Sequence, residues 1–483
     1  MAEKQKYLKV IDEKANIITD VSDKIWEYAE LSLLEFKSCE LYCKVLKEEG
    51  FEVESPVCGI DTAFKATYGS GKPVIGILAE YDALSGVSQE AGVAYRKELV
   101  RGGNGHGCGH NMLGAGAMAA AFAVKAYLEE NGGGTVIFYG CPGEEGGAAK
   151  AFMARERLFE ECDIALTWHP GSCNQVTSGT CNSCIQTEYK FTGIAAHAAG
   201  NPHMGRSALD AVELMNIGVQ FLREHMPETA RIHYAITDAG GNSPNVVQPT
   251  AQVLYMVRSV LVKEALELQA RVDKIAEAAA MMTETTMKKR FIDGTSNTVP
   301  NKTLEKMLWE NFNEIGVPTY TDEEKAFAQA IVDGYEMPSH ELPGSACDED
   351  DEIAEWVAEV SKNATIPLND FLVPYHFSTK QRAGSTDVGD VSWLVPTAQI
   401  NVVTAPSNVP GHSWQNTSCG KTSIGHKGLL CAGKVLAATA IDLYNSPEKI
   451  AEAKEEWNKR AAGGYFCPVP ADAVPVAIGE QMD

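Results

Sequence analysis

Cys108 and His110 stand two residues apart in HGCGHN (106–111), set between glycines and just ahead of a predicted helix. Small neighbours let the backbone turn tightly and aim both side chains at one point. Thiolate and imidazole are both ligands for zinc, and imidazole also suits manganese or cobalt. CPGEEGG (141–147) places two adjacent carboxylates, Glu144 and Glu145, in a glycine-rich loop. Such a pair is costly to bury unless a cation or a proton partners it. One member can then bind metal while the other serves as general base. His169 in TWHPG and His412 in VPGHSWQ each add an imidazole, and LAEYDALSG (78–86) adds Glu80 and Asp82. Taken singly, each motif has a plain alternative: a helix-capping loop, a solvated acidic loop, a satisfied polar histidine. Together they offer more ligand-type side chains than chance places at the strand ends of one sheet.

The elements that position these segments read as α/β. PVIGILA (73–79), GGGTVIFYG (132–140), DIALTW (163–168) and AQINVVTA (398–405) are continuous apolar runs, as expected of strands buried on both faces. Helical spacing covers 5–32, 38–49, 111–128 and 423–442, with shorter helices over 303–312 and 322–334. Strands separated by helices predict a doubly wound, mostly parallel sheet, and such sheets bind ligands at the carboxyl ends of their strands. The middle of the chain differs. IQTEYKFTG (185–193) alternates apolar and polar, a helix follows around 207–226, and strands are expected near 231–237 and 251–258. A helix over 261–285 and a short strand near 289–293 complete the order β-α-β-β-α-β of a ferredoxin-like α+β unit. The expected organisation is a discontinuous catalytic domain, 1–183 with 299–483, interrupted by an insert at 184–298. The segment 344–352 reads as acidic surface, and the tail 447–483 as helical and then proline-rich.

Composition bounds the rest. A chain of 483 residues is long enough for about two or three domains. Its formal charge of −24 repels phosphate backbones and anionic lipid heads, so neither nucleic acid nor membrane is expected as a partner. The longest apolar stretch, 112–124, is too short to span a bilayer. The start, MAEKQKYLKVIDEK, lacks the apolar core of a secretory signal. Thirteen irregularly spaced cysteines argue for a reducing, cytoplasmic setting. The CxxC at Cys181 and Cys184 has no second CxxC or nearby histidine to complete a site, and reads as two ordinary thiols. Arg258, at a predicted strand end, is a candidate for holding a substrate carboxylate, with a rim charge or a structural pair as the plain alternative.

Taken together, LAEYDAL, GHGCGHNMLGAGAM, GCPGEEGG, WHPG, GIAAHAAGNPHMGRSALDAVELMN, DGTSNTVPN, GSTDVGDVSW and PGHSWQ resemble the aminoacylase/carboxypeptidase-G family of metallopeptidases. Within it they are most similar to the amidohydrolase branch that includes the auxin-amino-acid hydrolases. The resemblance covers nearly the whole chain. It implies hydrolysis of an amide bond in a small N-acyl amino acid, with an aroyl-glutamate foremost. It also implies two divalent ions per subunit, zinc or manganese with cobalt as a further option, held by Cys108, His110, Glu145, His169 and His412. By the same resemblance Glu144 is the general base, Asp82 orients a ligand, and Asn245 faces the substrate. His197, in the insert, stabilises the oxyanion in the partner subunit's site. The partner is either a second copy or a related subunit. Where the branch usually reads CGHD, this chain has Asn111, whose amide oxygen can still accept a hydrogen bond near the site. A dipeptidase or aminopeptidase of the same superfamily, and a non-catalytic partner subunit, are the alternative readings.

Overall fold

The computed structural model describes residues 2–336, 355–356, 367–382, 384–477, 480 and 482; the acidic segment 344–352 lies outside them. In chain order the strands are β1 (Glu52–Glu54), β2 (Phe64–Ser70), β3 (Val74–Ala79), β4 (Gly134–Gly140), β5 (Ile164–Gly171), β6 (Gln175–Thr177), β7 (Ser183–Thr192), β8 (Arg231–Asp238), β9 (Thr250–Ser259), β10 (Thr286–Thr295) and β11 (Thr397–Val403). The chain forms two compact units, one from 1–180, 298–382 and 391–465, the other from 181–297, 383–390 and 466–483.

The first unit carries a seven-stranded sheet in the order β1-β2-β4-β3-β5-β11-β6. Its centre, β4-β3-β5-β11, is parallel. Antiparallel β1 and β2 flank one side and antiparallel β6 the other. β3 and β4 are buried at every position, which is why both read as unbroken apolar runs. The expected helix over 5–32 is two helices, Ala2–Glu13 and Ala15–Tyr28. β1, β2 and β6 were not anticipated. Two are three residues long, and FKATYGS in β2 mixes polar and apolar residues as it runs out to solvent.

Helix His110–Asn131 is buried along most of its length, among Ile77, Leu166, Trp168, Ile400 and the apolar face of helix Ser423–Asn445. Small residues let these elements approach closely. A β-carbon at Gly116 would lie 2.7 Å from the Trp168 indole, and one at Gly433 would lie 2.7 Å from Ala119 Cβ. Trp168 Nε1 also donates to the Leu113 carbonyl at 2.8 Å, tying the start of this helix to β5.

The second unit is an antiparallel sheet in the order β10-β7-β9-β8 with helices Ala208–Leu222 and Val262–Thr283. The chain order is that of the expected ferredoxin-like unit. β9 alternates half-buried and buried residues, and its inward set, Val253, Tyr255 and Val257, packs on Val212, Met215 and Val272. Segments 383–390 and 466–483, assigned from sequence to the catalytic domain, lie with this unit instead. Backbone and packing contacts hold them there. Asn182 N donates to the Gly384 carbonyl at 2.8 Å, Arg290 Nη2 donates to the Glu480 carbonyl at 2.5 Å, and Pro468 packs beside Gly294. Among the described residues no helix is long and apolar enough to cross a membrane, and no disulfide links the cysteines.

Candidate metal centre

Because β3, β4, β5 and β11 run parallel, the loops leaving their carboxyl ends open on the same edge of the first unit. Glu80 and Asp82 follow β3, Glu144 and Glu145 follow β4, and His169 sits near the end of β5. His412 lies in the loop after β11. His110 is the first residue of its helix, behind Gly109 at φ +80°. That left-handed turn suits glycine, and a β-carbon there would press on Pro170 at 3.0 Å. His412 itself adopts φ +53°.

Two groups of three potential ligands share one sulfur. Cys108, His110 and His169 offer atoms within 4.8 Å of one another, and so do Cys108, Glu145 and His412. Individual spacings are 3.5 Å from Cys108 Sγ to His169 Nε2 and 3.4 Å from His412 Nε2 to Glu145 Oε1. Ligands about 2.0–2.3 Å from one tetrahedral ion stand about 3.3–3.6 Å apart, so these separations suit a shared cation. Ring orientation agrees. His110 Nδ1 lies 2.7 Å from Asp82 Oδ1, and His169 Nδ1 lies 2.6 Å from the Pro170 carbonyl. Both acceptors fix the proton on Nδ1 and leave the Nε2 lone pair facing the cluster, the usual arrangement of metal-binding histidines. His110 Nε2, Glu145 Oε1 and Glu80 Oε2 are buried there without a hydrogen bond. Buried polar atoms left without partners are costly, and a cation between them removes that cost.

The protonation balance points the same way. Burial pushes the Glu145 carboxyl up, more than the neighbouring His110 pulls it down. Burial also pushes the Cys108 thiol far up, with Glu145 adding to it. Burial opposes a charge on His110, yet Cys108 and Asp82 hold its pKa well above the ordinary value. A proton is thus retained where a divalent ion would replace it.

A family model described as peptidase family M20/M25/M40 matches residues 76–412. The chain belongs to this family. It is 45% identical over 465 residues, 95% of either chain, to one of the subunits of the p-aminobenzoyl-glutamate hydrolase of Escherichia coli. It is 26% identical to the Xaa-Arg dipeptidase of Mus musculus, covering 94% of this chain and 92% of that protein. The fold is also that of the Bacillus subtilis YXEP protein, a dinuclear metal binding peptidase from the M20 family. There the TM-score is 0.53 at 16% identity, over 90% of this chain and 99% of that one. As a member of the M20/M25/M40 family, the chain is a metal-dependent hydrolase of amide bonds.

In this M20/M25/M40 chain, Ser32, Glu35, Thr62 and Lys150, which sequence reasoning passed over, brace the centre together with Asp82 and Glu80. Asp82 Oδ2 accepts from Ser32 Oγ at 2.8 Å and from Glu145 N at 2.9 Å, so one carboxylate fixes both His110 and the acidic loop. Burial alone would raise its pKa, but His110 and these donors bring it down to about 2. Glu35 accepts from Gly143 N at 2.8 Å and from Thr62 Oγ1 at 3.0 Å, holding the same loop from below. Burial, then Asp82, pushes Glu35 up to about 8. Lys150, wholly buried, meets Glu80 Oε1 at 2.7 Å. The available signal was local: Glu35 in SLLEF and Lys150 in AAKAFMA are charges set within apolar runs.

Asn111 acts differently from the sequence expectation. Its amide donates to Ser22 Oγ at 3.0 Å and to the Gly420 carbonyl at 2.9 Å, while its Oδ1 makes no hydrogen bond. It ties two neighbouring elements together and accepts nothing at the site. His426 pairs with Asp23 at 2.8 Å, in keeping with a structural role.

In the second unit His197 and Asn245 are neighbours. Ala198 N donates to the Asn245 carbonyl at 2.9 Å, and His197 bridges to Val246. Both side chains are exposed. His197 Nδ1 accepts from Ala199 N at 3.2 Å and Gly200 N at 2.9 Å, which leaves Nε2 as the protonated, donating nitrogen of the neutral ring. Arg258 is engaged within its own unit: Nη1 donates to Ser385 Oγ and Nη2 contacts Met256 Sδ at 3.0 Å.

Proposed function

We propose that this chain cleaves the amide bond of p-aminobenzoyl-glutamate or a closely related N-acyl amino acid, at a centre of two divalent ions. Cys108, His110 and His169 hold one ion and Cys108, Glu145 and His412 the other. The observation that carries this reading is the pair of three-ligand groups meeting at one thiol. Zinc, manganese and cobalt all suit this mixture of thiolate, imidazole and carboxylate. Bound ions would polarise the scissile carbonyl and acidify the attacking water. Glu144, beside Glu145 and within reach of His110, takes the proton from that water and delivers it to the leaving amine. Asp82 keeps the His110 ring and the acidic loop in place. His197, with the proton on Nε2, donates to the developing oxyanion of a neighbouring subunit. Asn245 faces the substrate, and Arg258 is the candidate for holding its carboxylate.

The 45% relative is named as one of two kinds of subunit, which favours a heteromer with a related chain over a homodimer. The likeness to a dipeptidase keeps a short peptide as the second substrate reading. Retention of Glu144 beside all five ligand candidates argues against a non-catalytic subunit. A reducing, cytoplasmic setting fits the number and irregular spacing of the cysteines. The test is hydrolysis of p-aminobenzoyl-glutamate, other N-acyl amino acids and dipeptides by metal-free chain reloaded with zinc, manganese or cobalt, alone and with a related subunit. Released aromatic amine is the expected product, and Glu144→Gln should lower kcat about a hundredfold with metal content kept. A loaded protein that cleaves none of them would overturn the proposal.

A further inference from the structure

Glu80 has no part in the reading above, yet its carboxylate reaches the same centre. It is buried, with Oε1 held by the wholly buried Lys150 at 2.7 Å. Oε2 makes no hydrogen bond and lies 3.3 Å from His110 Nε2. A buried ion pair serving structure alone needs further hydrogen bonds on its remaining lone pairs to offset its desolvation. This pair instead leaves one oxygen over, beside the lone pair that His110 presents to the centre. The 3.3 Å spacing is that of two ligands about 2.0–2.1 Å from one tetrahedral ion. Glu80, His110 and Glu144 also offer atoms within 4.8 Å of one another, a third potential ligand group.

We propose that Glu80 is a further oxygen ligand of the ion held by His110, and that Lys150 is the positioning residue that turns its carboxylate there. The inference rests on the two-ion reading. Lys150 belongs to helix Ala149–Arg155, which follows the CPGEEGG loop, while Glu80 follows β3. Their pairing therefore registers the loop of Glu144 and Glu145 against the strand end that carries Asp82. Lys150 also offsets the Glu80 charge, so the added ligand brings no further net negative charge into the buried centre.

The test is zinc titration of metal-free protein against a competing chelator, with thermal melting of each metal-free variant to register folding. Wild type should bind two ions. Glu80→Gln should weaken one of them about 10- to 100-fold and leave the other unchanged. Lys150→Met should act in the same direction, and Lys150→Arg should restore most of the affinity. Wild-type affinity for both ions in Glu80→Gln would overturn the proposal and leave the metal centre standing. A wild type that binds no zinc would overturn both. Should Glu80→Gln not fold, a crystal of zinc-loaded wild type decides. A zinc to Glu80 oxygen distance of about 2.0–2.2 Å is expected, and an ion beyond about 3 Å from both oxygens would overturn the assignment.

Discussion

Replacing Asp82 by asparagine changes almost no volume and removes one charge, so its effect isolates what that carboxylate does. Asp82 accepts at both oxygens: His110 Nδ1–H at 2.7 Å on one, Glu145 N–H at 2.9 Å and Ser32 Oγ at 2.8 Å on the other. An amide has only one acceptor end. If its oxygen faces His110, its NH2 meets the Glu145 N–H donor to donor and pushes on the acidic loop. If its oxygen faces Glu145, the NH2 forces His110 into the other tautomer and its Nε2 lone pair is lost. Either orientation leaves a buried donor unsatisfied, at about 1–3 kcal/mol. Zinc affinity should fall about 10- to 100-fold, the usual effect of losing a residue that orients a metal-binding histidine. The charge adds a pH signature in metal-free protein. Asp82 lies at about 2 against an ordinary 3.8, a gap of about 2 kcal/mol. A depressed carboxylate contributes its full stability above about pH 4 and loses it as pH falls toward 2. The stability difference between wild type and Asp82→Asn should therefore be largest near neutrality and shrink across that acid window. Chelator-competed zinc titration and denaturant melts at several pH values measure both effects. Wild-type zinc affinity together with a pH-independent stability gap would refute the reasoning.

Other expectations follow from the same geometry. His169→Ala and His412→Ala should each lose at least one ion by elemental analysis; full metal content in both would remove them from the ligand set. His197→Ala should lower kcat about 10²–10³-fold while metal stays bound, as for loss of one oxyanion donor. If the assembly is a homodimer, mixing His197→Ala with Glu144→Gln under subunit exchange should restore part of the activity, because one mixed site holds a wild-type Glu144 and a wild-type His197 from different chains. No recovery, with exchange verified by mass spectrometry of tagged chains, would mean that His197 does not act across subunits.

The α/β frame was legible because its central strands are buried on both faces. VIGILA and GTVIFYG carry their location in composition alone. The second unit was legible for the opposite reason: IQTEYKFT in β7 alternates apolar and polar residues, and its two helices have one apolar side each. What stayed hidden lies where neither rule applies. β1 and β6 are too short to show a period. The tail 466–483 reads as a proline-rich surface segment, since the contacts assigning it to the second unit include carbonyls such as that of Glu480, which every residue has. At the site, the motifs named residues that the fold brings together as potential ligand groups, but not all that braces them. Asn111 shows the limit most clearly. Its position beside His110 suggested a role at the centre, and only the packing of helix Ala15–Tyr28 and Gly420 around it shows that its amide points elsewhere.

The buried acids of the first unit sort themselves by the partners the protein gives them. Burial raises the pKa of every one, so the direction that prevails reports what stands opposite. Glu80 is lowered because Lys150, then His110, outweighs its burial, and Asp82 is lowered because His110 and two further donors do. Glu35 accepts from a backbone amide and a hydroxyl, neutral donors that do not offset its burial and the nearby Asp82 charge, and it remains raised to about 8. Glu145 and the Cys108 thiol are raised although histidines stand beside them, so His110 and His412 are insufficient compensation for the charges assembled there. A fold that supplied Asp82 and Glu80 with dedicated partners but left Glu145 and Cys108 under-compensated lacks positive charge beside that carboxylate and thiol. There, among the close-set ligand atoms of Cys108, Glu145 and His412, a divalent ion can supply what protonation otherwise must.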